Sequence, residues 1–535
     1  MAGIYEPKHV LNPDYFIGLS FILIGLYKTV PGVSWYGFFL FLLLAMSYCN
    51  LVYVTYNFLV FLKPKRLWQL VPGVLVFCGF MQEFIMRNTF TTAACLLTGS
   101  ATLLMVFRLG PAFALYIGLC ILLGLLTRLE IAVITLLLAS SLTLVALWFQ
   151  NKKAIIQRLL PVVILPLFMS NVLKWALPTS ETIDFGKFSF YESLIQDAYI
   201  LPISSDIKDP ATQLKLEAIT TWNHFDADIL TEDWLHNLYA QPHNFEVKQF
   251  LYFKTLNLIQ FADRYQGRQS CFNWLYKEIV LFMINLVLIV AFGPILLGLR
   301  KTVLLSVLWL LAGVLILLIA LIAKMEDRLL GPYLLILTVF NLYTFAAWSN
   351  KKWKSIYIVV LVIPLCCFSA YRAKACIKMS ELLMADKIQK QKFIAELNSF
   401  NHKIILFDLY TAYFVDTGPF CVPNLNKENQ YVLPFHYISR HFKSNIDYWT
   451  NKCGSANSNK ILNCLNEKSD QVVFIYNTYN ISFLHRWNVF FYNDTINFCP
   501  VYNKSVLRSY KNPFLWGNQA YSYYIIKRHP DLNSN

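Results

Sequence analysis

Charged side chains at the ends of apolar runs are the residues of this 535-residue chain whose types and spacing suit chemistry. An ionisable group at the edge of a hydrocarbon layer is costly, so its presence there asks for a task. The densest group is Lys324, Glu326, Asp327 and Arg328, just ahead of Gly331 and Pro332. Two cations in so tight a turn suit an anion such as a phosphate, while the matching number of acids also suits a self-neutralised turn. Arg128 and Glu130 lie between two apolar runs, where they fit either a phosphate or sugar contact or an interfacial helix cap. Glu83 and Arg87 are four apart, so on a helix they share a face and can pair. Arg87 also carries the planar fork that matches phosphate oxygens. In a polar stretch, His224, Asp226 and Asp228 are candidate ligands for a divalent metal, oxygen donors suiting magnesium or manganese. Solvated turn chemistry with helix capping is the plainer reading of those three.

The elements that must position these groups are the apolar runs themselves. The chain is 57% hydrophobic and only 14% charged, against roughly 25% charged in average usage, and its mean hydropathy is +0.47. About eleven runs have the length of a membrane-spanning helix, roughly 20 residues for a hydrocarbon core of ~30 Å. They cover 14–29, 35–62, 67–85, 88–107, 111–127, 130–149, 157–178, 278–299, 302–323, 329–348 and 353–371. The break at Arg128 avoids placing Arg128 and Glu130 at the bilayer centre. Lys63, Lys65 and Arg66, then Arg108, then Lys152, Lys153 and Arg158, then Arg300 and Lys301, then Lys351, Lys352 and Lys354 all fall on one side of the alternating path. That side is expected to be cytoplasmic. It includes residues 1–13, and the first run lacks a basic leader and an A-x-A site, so it reads as a retained helix. The turns at 83–88, 128–130 and 324–328, the loop 179–277 and everything after about 372 then face outward. The net charge of +15 is explained by orientation, and no nucleic-acid partner is expected. No Gly-rich phosphate loop, zinc-finger CxxC pair or HExxH is present.

The expected fold class is an α-helical polytopic membrane protein with a C-terminal α/β extramembrane domain, set in a plasma (inner) membrane. It divides into an N-terminal transmembrane bundle (1–178), an outer loop with interfacial helices (179–277), C-terminal transmembrane helices (278–372) and an outer domain (373–535). Thr231 reads as a helix N-cap ahead of Glu232 and Asp233, and 244–261 carries apolar residues at helical spacing. Beyond 372 a helix over 373–399 precedes strand-like runs at 403–409, 471–476, 487–492 and 521–526. Of the twelve cysteines, Cys421, Cys453, Cys464 and Cys499 lie in the expected outer domain and are disulfide candidates, with Cys453–Cys464 the nearest pair. Free thiols remain the alternative. Asn480, Asn493 and Asn503 begin short N-x-S/T patterns that arise often by chance.

The layout, with many spans, a long outer loop near the seventh and an outer C-terminal part, resembles the GT-C class of membrane glycosyltransferases. That class includes protein mannosyltransferases, lipid A aminoarabinose transferases and serotype-converting glucosyltransferases. The resemblance covers most of the chain as architecture. Locally, the stretch from Arg87, Asn88 and Thr89 to Ala94 looks like the start of a helix in these enzymes. Gly124, Leu125, Leu126, Thr127 and Arg128 look like one of their helix ends. Lys324 to Arg328 ahead of Pro332 is similar to a basic turn that in such enzymes meets the lipid phosphate. Leu26, Tyr27, Lys28, Pro31, Trp35 and Tyr36 look like uncharacterised bacterial members.

The resemblance implies transfer of a sugar from a polyprenyl-phosphate donor to an outer-face glycan, lipid or protein, with a divalent metal as an optional cofactor. It implies that Arg87, Arg128 and Arg328, with Glu130, Lys324, Glu326 and Asp327 around them, meet the donor. The class carries an acidic residue in the first outer loop, whereas Lys28 to Ser34 contains none. Asp14, and after it Glu6, are then the expected proton acceptors. That placement requires residues 1–16 to be the remnant of an outer loop whose preceding helix is absent from this chain. Two other function classes stay open on the sequence: a transporter or flippase of lipid-linked oligosaccharide, and a non-catalytic assembly or anchoring protein.

Overall fold

The computed structural model describes residues 18–30, 33–60, 71–86, 89–107, 110–149, 153–177, 209–221, 233–234, 237, 281–322, 327–348, 354–407, 425–426, 428–432, 443–455, 457–468, 471–477, 483, 486–487, 489–491, 500–501, 510–511, 520–521 and 523–526. These are mostly helical. Helices α1 (Leu19–Thr29), α2 (Trp35–Val60), α3 (Val71–Val76), α4 (Gln82–Met86), α5 (Phe90–Leu104), α6 (Pro111–Thr127), α7 (Leu129–Phe149) and α8 (Lys153–Ala176) come first, with a π-helical turn, Phe77–Met81, joining α3 to α4. Then follow α9 (Pro210–Thr221), α10 (Gly293–Leu297) after a second π turn at Leu288–Phe292, α11 (Leu299–Ile322), α12 (Asp327–Trp348) and α13 (Lys354–Leu397). The helices α14 (Lys443–Cys453) and α15 (Ser458–Glu467) lie among the strands that close the chain.

Local sequence accounts for the helix ends. Thr89 caps α5, its hydroxyl accepting from the Thr92 amide at 3.2 Å. Pro111 opens α6 as its first residue. Asp209 caps α9, accepting from the Thr212 amide at 3.0 Å and the Ala211 amide at 3.3 Å. The expected break at Arg128 is present: its φ of −156° is extended, and α6 ends and α7 begins on either side of it. Two expectations differ. The span 353–371 and the helix 373–399 are one continuous helix, α13, because the residues from Leu365 to Leu397 contain no glycine or proline and are rich in strong helix formers. The run 487–492 is not a strand: residues 486–487 and 489–491 are helical.

Helix α5 is the axis of the bundle, buried from Thr91 to Leu104. Pairwise contacts fix how its neighbours run. Along α6, Arg128 meets Thr91 and Gly124 meets Thr98, so the two helices are antiparallel. Along α7, Thr135 lies 3.4 Å from Cys95 and Thr143 donates to the Thr102 carbonyl at 3.3 Å, so these two are parallel. The partners Asn50–Ser100 and Tyr53–Phe107 make α2 parallel to α5, and Tyr333 near Cys95 with Ile336 against Gly99 make α12 parallel as well. The starts of α5, α7 and α12 therefore share one end of the bundle with the end of α6. The other end is lined by Tyr53, Phe107, Phe113 and Tyr343, packed ring against ring.

The bundle has a largely apolar core that also buries hydroxyl side chains, and its outer surface is apolar too. Ser47, Thr98, Ser100, Thr102, Thr135 and Thr344 are fully buried, while Leu115 is 75% and Trp175 84% exposed. Among the described residues, Trp35–Asn57 and Leu129–Leu147 are long and apolar enough to cross a membrane, and six shorter apolar helices accompany them. The strands form a mixed five-stranded sheet in the order β2-β1-β3-β7-β4 and a two-stranded ribbon of β5 and β6. Here β1 is Ile404–Phe407, β2 Gln430–Val432, β3 Val472–Asn477, β4 Pro500–Val501, β5 Tyr510–Lys511, β6 Ala520–Tyr521 and β7 Tyr523–Ile526. Strand β1 pairs parallel to β2 and β3, and β7 antiparallel to β3 and β4. The expected strands at 403–409, 471–476 and 521–526 are present within that sheet or beside it.

Candidate functional site

The shared end of α5, α6, α7 and α12 collects the chemistry. Arg128 is a one-residue joint: its amide donates to the Gly124 carbonyl at 3.1 Å and its own carbonyl accepts from the Ala132 amide at 3.0 Å. Both helices thus keep their backbone bonds while the side chain turns inward. Its Nη1 donates to the Thr91 hydroxyl, and its guanidinium lies 5.3 Å from the centre of the Phe90 ring. The approach of α6 to α5 depends on Gly124, since a β-carbon there would fall 2.1 Å from Thr98 Oγ1.

Three threonines crowd the first turn of α5. Thr89 and Thr92 hydroxyls are 2.9 Å apart, and Thr91 receives Arg128. A helix start carries partial positive charge from amides without intrahelical partners, so a guanidinium placed there makes a locally cationic, hydroxyl-rich concentration that matches an anion. One turn deeper, the Thr135 hydroxyl donates to the Ile131 carbonyl at 2.7 Å and lies 3.4 Å from both Cys95 Sγ and the Tyr333 hydroxyl. Glu83, in the first turn of α4, forms an ion pair with Arg372 of α13. Arg372 also lies 5.7 Å from the Phe368 ring centre.

Of the residues singled out in the sequence, Arg128 is in this group, and Glu130 is exposed in the first turn of α7. Asp327 and Arg328 open α12, although their side chains lie outside the described residues. Glu6, Asp14, Arg87, His224, Asp226, Asp228, Lys324, Glu326, Cys421 and Cys499 also lie outside the described residues. Cys453 and Cys464 are disulfide-bonded with their Cα atoms 5.5 Å apart, joining α14 to α15. Among the described residues no group of three His, Cys, Asp or Glu side chains could hold a metal ion. Thr89, Thr91, Tyr333 and Arg372 belong to the site and were not legible as members of it. Arg372 had a signal, being the first cation after the apolar run 353–371.

A second polar cluster joins the long loop to the C-terminal part. Glu217 of α9 takes both guanidinium nitrogens of Arg486, at 2.6 and 3.0 Å. The Lys215 ammonium lies 5.1 Å from the Trp234 ring centre and 5.8 Å from that of Phe491. Burial pushes the Lys215 ammonium below the usual lysine range, with Asp209 opposing the shift.

No family model, curated protein or solved structure matches this chain.

Proposed function

We propose that this chain is a polytopic membrane glycosyltransferase of the GT-C type, moving a sugar from a polyprenyl-phosphate donor to an outer-face acceptor. The observation that carries the reading is Arg128, whose guanidinium is set at the threonine-rich start of the buried helix α5. In this reading Arg128 meets the donor phosphate and stabilises charge on the leaving group, assisted by Arg87, by Lys324 and by Arg328. Asp14, or Glu6 after it, takes the acceptor's proton; this role puts residues 1–16 on the outer face and requires the first span to be counted differently from the alternating path.

The membrane placement draws support from the large apolar side chains on the bundle's exterior and from the buried interhelical hydrogen bonds within its apolar core, the pattern in which van der Waals packing and interhelical hydrogen bonds hold helices in lipid. The about eleven-span path draws support from helix direction. The end of α4, the start of α5, Arg128 and the start of α12, which the charge pattern puts on one side, share one end of the bundle. Gly79 against Ser369 and Glu83 against Arg372 make the π turn and α4 parallel to α13, as spans three and eleven of an alternating path must be. The outer position of an α/β domain after α13 draws support from the Cys453–Cys464 disulfide, since such bonds persist in oxidising compartments.

The test uses the full-length protein in lipid nanodiscs, with polyprenyl monophosphate binding read by native mass spectrometry. Arg128→Gln weakens binding at least about tenfold and Arg128→Lys less, while Asp14→Asn abolishes sugar transfer and leaves binding intact. Wild-type protein that binds no polyprenyl phosphate overturns the reading. Binding without transfer to any acceptor class leaves the non-catalytic anchoring role.

A further inference from the structure

The ion pair between Glu83 and Arg372 is buried on both sides, with side-chain exposures of 8% and 1%. Two buried charges cost much of what their attraction returns, and apolar residues of similar volume hold helices at least as well. The pair's location therefore matters more than its strength. Glu83 lies in α4, which ends at Met86, and α5 begins at Phe90. Only residues 87–89 separate the two helices, and Thr89 is the α5 cap. The position of α4 thus sets where the first turn of α5 stands, and that turn holds Thr91 with Arg128.

Arg372 sits where α13 passes from its apolar half to its charged half, 25 residues before Leu397. The contact is doubled one turn away. A β-carbon on Gly79 would lie 2.6 Å from Ser369 Oγ, so the π turn and α13 approach backbone to side chain. A π turn is an energetically marginal insertion that recurs at functional sites, and here it shapes the approach to α13 directly before Glu83. At its far end α13 is tied to the sheet region: Phe393, Ile394 and Leu397 are buried, and Asn429 donates to the Phe400 carbonyl at 2.7 Å.

We propose that Arg372 is a positioning residue that, through Glu83, fixes the first turn of α5 for the donor phosphate and couples it to the C-terminal sheet region. The phosphate part of this statement rests on the glycosyltransferase reading; the positioning part does not. Amide hydrogen exchange across residues 90–95 reads the first turn directly, and polyprenyl monophosphate binding reads its consequence, both with the full chain in nanodiscs.

Arg372→Met removes the Arg372 side of the ion pair with Glu83 and is expected to speed exchange at 90–95 and weaken polyprenyl phosphate binding about tenfold. Because a buried charge that loses its ion-pair partner can prevent folding, the deciding variant is the double replacement Glu83→Gln with Arg372→Met. It leaves no buried charge and is expected to fold, with the Cys453–Cys464 bond intact. A purely structural pair predicts unchanged exchange at 90–95 in that variant, and such a result overturns the proposal. Faster exchange there, partly reversed when Arg372→Lys replaces Arg372→Met in an otherwise wild-type chain, upholds it. If wild-type protein binds no polyprenyl phosphate, the donor reading falls while the exchange comparison still decides the positioning role.

Discussion

At the residue scale, Arg128 and Glu130 show how far type and spacing carry. Their place between two apolar runs sufficed to put a helix break at 128, because charge at mid-bilayer is costly. The same spacing could not tell which of the two turns inward, since that depends on Thr91, 37 positions away in the chain. Glu83 illustrates the opposite limit. A neighbour four residues on suggested a local partner in Arg87, which lies outside the described residues, and the structure gives Glu83 a partner that no spacing could suggest, Arg372, 289 positions away. Gly124 offers a direct test of the α5–α6 approach. Gly124→Ala is expected to destabilise the protein by about 1–3 kcal/mol, the usual cost of overpacking, in thermal unfolding in detergent. Thr98→Ala in the same chain should recover part of that loss, because Thr98 Oγ1 is the nearest obstacle while the Ala94 carbonyl, 3.3 Å from the new carbon, remains. Equal losses in the single and double variants would mean that the helices are not in contact there. Asp209 gives a pH prediction. Hydrogen bonds from Thr212 hold its carboxyl below the ordinary value of 3.8. Its contribution to α9 is therefore complete above that value and is lost only as pH falls through the lower folded-state value. Hydrogen exchange in 210–221 should stay slow down to pH 4 and quicken below it, and Asp209→Asn, an equally good cap, should remove that acid-side change.

At the element scale, helices were more legible than strands. Long apolar runs bounded by charge gave α2, α5, α6, α7 and α12 close to their observed limits. The run 487–492 failed because six residues are too few to separate a period of two from one of 3.6. The contacts of Phe483 with Trp487 and of Trp487 with Phe491, each four apart, are the helical signal that the short window concealed. The continuity of α13 was missed because the change from apolar to charged residues looked like a domain boundary, whereas the backbone is indifferent to that change where neither glycine nor proline interrupts it. Polar bonds between helices were invisible in the sequence. Asn341 donates to Asn285 Oδ1 at 3.1 Å and accepts from Trp309 Nε1 at 2.6 Å, while Asn285 donates to Thr338 Oγ1 at 3.1 Å. Such bonds in membrane helices contribute about 0.6–1.7 kcal/mol each, so Asn341→Leu should cost about 1–3 kcal/mol in the same unfolding measurement. No loss would mean that α11 and α12 are held by packing alone.

At the scale of the whole molecule, composition and charge pattern gave a helical chain with a polar end, and the bundle described here is apolar on its surface as well as through most of its core. The arrangement of helices around α5 was not legible, because periodicity says little when helices are apolar on most sides. The disulfide supplies a prediction about the part after α13. The bond closes a short loop, its cysteines 11 positions apart, for which chain-entropy reasoning gives about 3 kcal/mol. Cys453→Ser with Cys464→Ser should lower the unfolding midpoint of that part and leave polyprenyl phosphate binding at Arg128 unchanged. An equal loss of binding would place the two parts in one cooperative unit.

The uninterrupted 44 residues of α13 act as a ruler with a phase. Each inserted residue in the charged half turns everything beyond it by about 100° and lifts it by about 1.5 Å. Seven inserted residues nearly restore the angle, leaving about 20° of error, but add roughly 10 Å of height. The clasp between Glu217 and Arg486, which ties the long loop to the far side of that ruler, requires both the angle and the height. It should therefore be lost on insertion of one residue or of seven, while the ion pair at Arg372, on the near side, survives either.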